Sequence, residues 1–164
     1  MPFKSLQELF IHELSELYSA DRQLSKALPR LLHATDDGQL SEALDLHMLE
    51  LGNHLERIEH VMESLDVRPR RGKCAAIETL LEDLRDIVDV VPQGSLRDVA
   101  LLAGLQKMTR YQSAAHAVII TLARKLDYRD VLPSLTCNLD EKNAADARFA
   151  RLAGHGPQQA AQAA

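Results

Sequence analysis

The sequence predicts an all-α protein, a four-helix bundle whose one long crossover contains an extra short helix. Three observations predict it. Gly and Pro number only 7 and 6 in 164 residues, too few for the turn density of a sandwich or barrel. Aromatic residues make up 4% and Trp is absent, so the core must be aliphatic. Four long segments and one shorter one place apolar residues three and four apart, the repeat of a helix that buries one face. A chain of this length forms about one domain, assigned here to residues 1–153.

The first segment opens on Ser5-Leu6-Gln7-Glu8, the spelling of a capping box. Its seam reads Phe10, Leu14, Leu17, Asp21, Leu24, Leu28, Leu31, with one acid in the middle. Pro29 should kink or loosen the last turns. Asp36-Asp37-Gly38 is a connection of the length that joins antiparallel neighbours. The second seam is Leu40, Leu44, His47, Leu51, His54, Ile58, Val61, Leu65, and Glu50 lies one turn from each histidine.

Arg68-Pro69-Arg70-Arg71-Gly72-Lys73 breaks the pattern. A shorter amphipathic stretch follows with Ile77, Leu80, Leu81, Leu84, Ile87 and Val91, closed by Pro92-Gln93-Gly94. The connection between the second and third long segments is therefore about 30 residues, enough to return along a bundle. The third segment starts at Ser95-Leu96-Arg97-Asp98, a cap spelling with Asp in place of Glu. Its seam is Leu101, Leu105, Met108, Gln112, Ala115, Ile119, Leu122, Leu126. The fourth carries Leu132, Leu135, Leu139, Ala145, Phe149 and Leu152, with Glu141 and Lys142 at its centre. Residues 154–164 show no apolar period and are expected to form a flexible C-terminal tail. Two hairpins joined by one crossover make the ferritin-like arrangement, not the simple up-down-up-down one.

Each seam is interrupted near its midpoint, by Asp21, by His47 and His54 with Glu50 beside them, by Gln112, and by Glu141. Midpoints of antiparallel helices meet at one level, so these side chains should form a polar layer inside the aliphatic core. Buried carboxylates cost several kcal/mol each unless a cation or good hydrogen bonds compensate. The candidate metal ligands are Asp21, Glu50, His54 and Glu141, with His47 beside them. Carboxylate and imidazole suit Fe, Mn or Zn. The third helix offers only Thr109, Arg110, Tyr111 and Gln112 at its midpoint, and Lys142 follows Glu141. These ligands hold one metal rather than two, and Arg110 or Lys142 can instead neutralise the acids with no metal at all. Tyr18 and Tyr111 flank the layer and are placed to donate to Glu50 or Asp21.

Charge and cysteine content exclude other classes. The 19 Lys and Arg against 24 Asp and Glu leave a net charge of −5, which disfavours nucleic acid and anionic membranes. No run approaches the roughly 18 apolar residues of a membrane span, and the N-terminus lacks a secretory h-region. Cys74 and Cys137 form no CxxC pair, so a reducing cytoplasm is expected.

Several stretches resemble the YciE/YciF family of ferritin-like bacterial proteins, a domain of unknown function. The resemblance runs from Leu9-Phe10-Ile11-His12 to Leu152-Ala153. It rests on Tyr18-Ser19-Ala20-Asp21-Arg22-Gln23-Leu24, His47-Met48-Leu49-Glu50, Arg71-Gly72-Lys73-Cys74-Ala75-Ala76 and Leu139-Asp140-Glu141-Lys142. It implies a ferritin-like bundle, a carboxylate-rich metal site, a homodimer and a part in bacterial stress responses. Residue by residue, Asp21 stands for the family's first-helix Glu, and Glu50, His54 and Glu141 match ligand positions. Where the family reads Glu-His-Tyr-Glu on the third long helix, Thr109-Arg110-Tyr111-Gln112 has lost both acids. The expectation is a dimeric scaffold or partner-binding stress protein with a mononuclear or empty site. The alternative is a di-iron or di-manganese oxidoreductase, a ferroxidase or peroxide consumer.

Overall fold

The Ser5 half of the expected capping box forms, and it starts the first helix. Ser5 Oγ accepts the Glu8 N–H at 3.0 Å, while the Glu8 carboxylate reaches past Ser5 to accept the Lys4 N–H at 2.8 Å. The computed structural model describes the backbone of residues 3–162 and the side chains of residues 3–154. Helix α1 covers Leu6–Ala34 and α2 Gly38–Ser64. The crossover helix α3 covers Ala75–Val90, α4 Ser95–Lys125, and α5 Leu132–Gln162 after a short 3-10 turn at Arg129–Val131. Pro29 lies inside α1, which continues to Ala34; the proline removes one ladder bond without ending the helix.

Two helices stop by the same device. Asp66 and Asp127 take left-handed φ values of 52° and 57° just past α2 and α4. The Val67 N–H then reaches the Met62 carbonyl at 2.8 Å, and the Tyr128 N–H reaches the Ala123 carbonyl at 2.9 Å. This is the Schellman closure, with Asp in the position usually held by Gly or Asn.

One expected cap is corrected. Asp98 does not cap its own helix; α4 starts from Gly94, with no side-chain cap. The Asp98 carboxylate is buried and instead accepts from Thr35 Oγ1 at 2.7 Å and from the Asp36 and Asp37 N–H groups at 3.1 Å each. The tight α1–α2 turn leaves those donors without a helical partner, and a buried donor must be answered. Asp37 in turn caps α2 by accepting the Leu40 N–H at 2.8 Å.

α1 and α5 each pack on both α2 and α4, and α3 lies across α1 and α4. The α3–α4 contact is tight: a Cβ on Gly104 would sit 2.4 Å from Leu84 Cδ2. Two serines of α1 pin the loop that leads into α3. Ser15 Oγ accepts the Arg70 N–H at 3.0 Å, and Ser19 Oγ accepts the Cys74 N–H at 3.1 Å while donating to the Gly72 carbonyl at 3.0 Å.

The core divides in two. One aliphatic cluster contains Leu24, Leu28, Leu44, Leu51, Leu101, Met108 and Phe149. The other contains Phe10, Leu14, Leu17, Ile58, Ile119, Val131 and Leu135. α1 and α5 run from the second cluster to the first, and α2 and α4 run the opposite way. Two helices separated by one connection can run parallel only through a long crossover, which α3 and its flanking loops supply. The backbone of α5 runs on past Gly154 to Gln162, so the region expected as a tail begins within a helix; side chains from His155 onward lie outside the described residues. Among the described residues no helix is long and apolar enough to cross a membrane.

Candidate functional site

The boundary between the two clusters is polar. Asp21, His47, His54, Gln112, His116 and Lys142 are fully buried there, at 0% exposure. The layer expected from the interrupted seams exists, but its membership differs. Glu50 and Glu141 lie at its rim, with side chains 14% and 28% exposed.

The reason is helical phase. Counting back from Phe149 at spacings of four and three gives Ala145, Lys142, Asn138 and Leu135, and all five are buried. Glu141 is one residue off that line, so it flanks the seam while Lys142 occupies it. A seam drawn from Leu139 straight to Ala145 misses this. The same slip affects α4: the seam passes through His116, one turn beyond Gln112, and Ala115 is only partly buried. His116 was therefore legible at helical spacing, as was Asn138.

At the centre, Lys142 Nζ donates to Asp21 Oδ1 at 2.7 Å, and Gln112 Nε2 donates to the same oxygen at 2.6 Å. Burial pushes the Asp21 carboxyl up, but the Lys142 ammonium, with weaker help from His116 and His54, leaves it below the ordinary carboxylate value. Burial also lowers Lys142, against the raising effect of Asp21. Desolvation and the Lys142 charge push both His54 and His116 down to about 4, so both are neutral at pH 7. Desolvation lowers His47 as well.

Two satellite groups complete the layer. His54 Nε2 lies 2.7 Å from Glu141 Oε2, and Arg57 grips the same carboxylate through two nitrogens at 2.9 and 3.0 Å. The Arg57 guanidinium holds Glu141 below its ordinary value. Asn138 joins them, accepting from Arg57 at 3.0 Å and donating to the His54 carbonyl at 3.2 Å. On the other side Glu50 is paired with Arg148 and stands 3.7 Å from His47 Nδ1. His47 packs edge-on against Phe149, with ring centroids 5.6 Å apart.

The structure thus brings His54 and Glu141 together and keeps Asp21 and Glu50 on separate partners. Arg57 and Arg148 flank their seams by one residue and carry no sequence signal beyond that. Arg110, one candidate for neutralising the acids, instead stands 3.4 Å from Asp146. Tyr18 and Tyr111 do not reach the layer. Tyr18 donates to Glu59 Oε1 at 2.6 Å, and the Tyr111 hydroxyl lies 3.4 Å from Cys74 Sγ. Cys74 is buried, Cys137 is partly buried, and both are free thiols.

Outside the layer, Leu46 and Leu49 of α2 are exposed at 41% and 66%. Beside them a cleft of about 430 Å³ runs between α2 and α5, lined by Ala43, Leu46, Arg148 and Leu152 among others.

Residues 5–163 match the family described as a domain of unknown function, DUF892. The chain is 37% identical over 154 residues to Protein YciF of Escherichia coli strain K12, covering 93% of each. Its structure superposes on the crystal structure of the Escherichia coli stress protein YciF with a TM-score of 0.91, at 36% identity over 95% of this chain and 99% of that one. YcfI from Rhodopseudomonas palustris superposes with a TM-score of 0.84, at 28% identity over 89% and 93% of the two chains.

Proposed function

The chain belongs to the DUF892 family, and we propose that it is a cytoplasmic stress-response bundle that works as a dimeric scaffold or partner-binding protein. In this reading its polar core is compensated by its own cations. The observation that carries it is the pairing of the carboxylates. Asp21 bonds Lys142, Glu141 bonds Arg57, and Glu50 bonds Arg148, so each acid expected to hold a metal already faces a fixed positive charge.

The residues do not fit the dinuclear metal centre that the fold family implies. Such a centre takes a Glu from each of two helices and a Glu-x-x-His pair from each of the others. α4 contributes an amide and an imidazole, Gln112 and His116, and α5 contributes a lysine. Among the described residues no three His, Cys, Asp or Glu side chains draw together closely enough to hold an ion. A cation brought to Asp21 would also have to displace an ammonium at 2.7 Å, whose charge it would repel.

The scaffold part of the reading is supported by the outer face of α2. Leu46 and Leu49 are large apolar side chains left open beside an apolar-lined cleft, the kind of surface on which a second chain gains from burial. A metal-dependent oxidoreductase is the second reading. One observation favours it, the run of buried polar atoms in the layer that lack a partner, including Asp21 Oδ2 and atoms of all three histidines.

Metal analysis of protein purified without chelator, then loaded with Fe(II), Mn(II) or Zn(II), separates the two. The proposed reading expects less than a tenth of an equivalent per chain and an unchanged melting temperature with EDTA. One or two tightly held equivalents would overturn the metal-free reading, and Fe(II) or Mn(II) turnover with oxygen or peroxide would then be required of the oxidoreductase reading. Light scattering on the wild type and on Leu49→Asp tests the scaffold face, which requires a dimer that the variant weakens.

A further inference from the structure

The basic run between α2 and α3 is fixed in place. Ser15 and Ser19 hold the backbone of Arg70, Gly72 and Cys74 against α1, and Gly72 takes a φ of 150°, a conformation that favours glycine. Gly72 and Lys73 then line a cavity of about 370 Å³ between α1 and α3. Its buried lining is apolar, Leu31 and Leu81. The charged lining is Lys26 and Arg30 from α1, Lys73 from the loop and Arg85 from α3, against one acid, Glu78.

These cations are only partly answered. Lys26 makes no ion pair among the described residues. Arg30 spends a single nitrogen on Asp89, which leaves the rest of its fork free. Lys73 Nζ donates to Glu78 Oε1 at 3.0 Å, whereas Arg85 stands 3.8 Å from the same oxygen, too far to hydrogen-bond. Even with Asp89 counted beside Glu78, four cations meet two carboxylates. In a chain of net charge −5 this is a local reversal of sign. It extends outward, because Arg22, Lys26 and Arg30 recur every four residues along one exposed stripe of α1, and Arg70 and Arg71 are exposed as well. An anion approaching this face meets an attractive field.

We propose that the cavity binds a phosphomonoester of a planar organic body, held by Lys26, Arg30, Lys73 and Arg85. The head group follows from the charge: the excess of two matches the −1.5 to −2 of a phosphomonoester at pH 7 better than the single charge of a carboxylate. The body follows from the rest of the lining. A cavity of this volume is at the small end of organic-ligand sites, Leu31 and Leu81 offer apolar surface, and guanidinium planes stack on aromatic rings. The cavity lies outside the polar layer and does not depend on how that layer is compensated.

The probe is AMP, with inorganic phosphate and adenosine as its two halves, each titrated calorimetrically into the full chain at low salt. AMP should bind once per chain with a Kd below about 1 mM, phosphate more weakly, and adenosine not measurably. Lys26→Ala should weaken AMP by about tenfold, and Lys26→Glu should abolish binding. Glu78→Gln removes the one acid of the lining and should tighten AMP. Lys107→Ala, an exposed cation on α4, should change nothing. Because Lys26 is exposed, its variants should melt as the wild type does, so a loss of binding reports the site and not the fold. In NMR spectra AMP should shift the amides of Ala27, Gly72 and Lys73. Failure of AMP to bind, or binding that survives Lys26→Glu, overturns the site. Phosphate binding as tightly as AMP overturns the organic body.

Discussion

Lys142 on α5 donates to Asp21 on α1 at 2.7 Å, and neither side chain is reached by solvent. The two helices share α2 and α4 as neighbours, and this pair bridges the bundle through its centre. A buried ion pair costs desolvation on both sides, and removing one partner strands the other charge. Lys142→Met should therefore destabilise the protein by about 3–5 kcal/mol in metal-free buffer. Asp21→Leu combined with Lys142→Met should recover most of that loss, since two apolar residues leave no charge behind. Urea unfolding of the two singles and the double gives the coupling; additive losses would mean that the pair is not a unit.

Acid should loosen the bundle before most carboxylates titrate. His54 and His116 sit at about 4 when folded, against an unfolded value near 6.5. Between those values the unfolded chain binds more protons, so stability is full above about pH 6.5 and falls as pH drops toward 4. Each histidine contributes on the order of 2–3 kcal/mol to that loss. Among the ionised groups acting on them, Lys142 opposes protonation of both, Asp21 favours it, and Glu141 favours it at His54. Urea midpoints from pH 7.5 to 4.5 measure the slope, which His116→Phe should flatten. A flat wild-type profile would contradict buried, neutral imidazoles.

Asp98 is the anchor of the α1–α2 turn. Its carboxylate accepts three hydrogen bonds from Thr35, Asp36 and Asp37, and two of the donors are backbone N–H groups. Asp98→Ala leaves those donors without a partner in a part-buried site and should cost about 2–4 kcal/mol. Asp98→Asn keeps one acceptor oxygen and should cost less. Thermal melts of the two variants rank them, and equal losses would show that the turn does not depend on the acceptors.

Gly104 tests the α3–α4 contact. In an open helix interior Gly→Ala gains about 1 kcal/mol from propensity. Here the new methyl would meet Leu84, a fully buried side chain, at 2.4 Å. Overpacking of this kind costs about 1–3 kcal/mol, so Gly104→Ala should be neutral to destabilising. Combining it with Leu84→Ala should cost less than the sum of the two single changes, as a double-mutant cycle would show.

The helices, their order and the crossover were legible because burial of one face imposes a spacing that a linear string records. The level of the polar layer was legible for the same reason: the interruptions fall at matching depths on Asp21, His54 and Gln112. Phase errors of a single residue hid the rest. On α5, moving from Glu141 to Lys142 rotates the side chain by about 100° and exchanges an acid for a base at the centre. On α4, a seam through Ala115 rather than His116 passes over an imidazole. Asp98 looked like a cap because its spacing from Ser95 fits one, yet the neighbouring turn held the stronger demand for its oxygens.

Composition, helical periodicity and connection lengths determined the fold class and the four long helices, and periodicity the depth at which charge is buried. Which charge meets which was decided only by packing. Asp21 and Lys142 are 121 positions apart and on different helices, and no local pattern pairs them. Burial is a property of one helix face, whereas compensation belongs to whatever the other helices place opposite it. The question that the sequence raises, a metal or none, therefore turns on one ammonium whose position exists only in the assembled bundle.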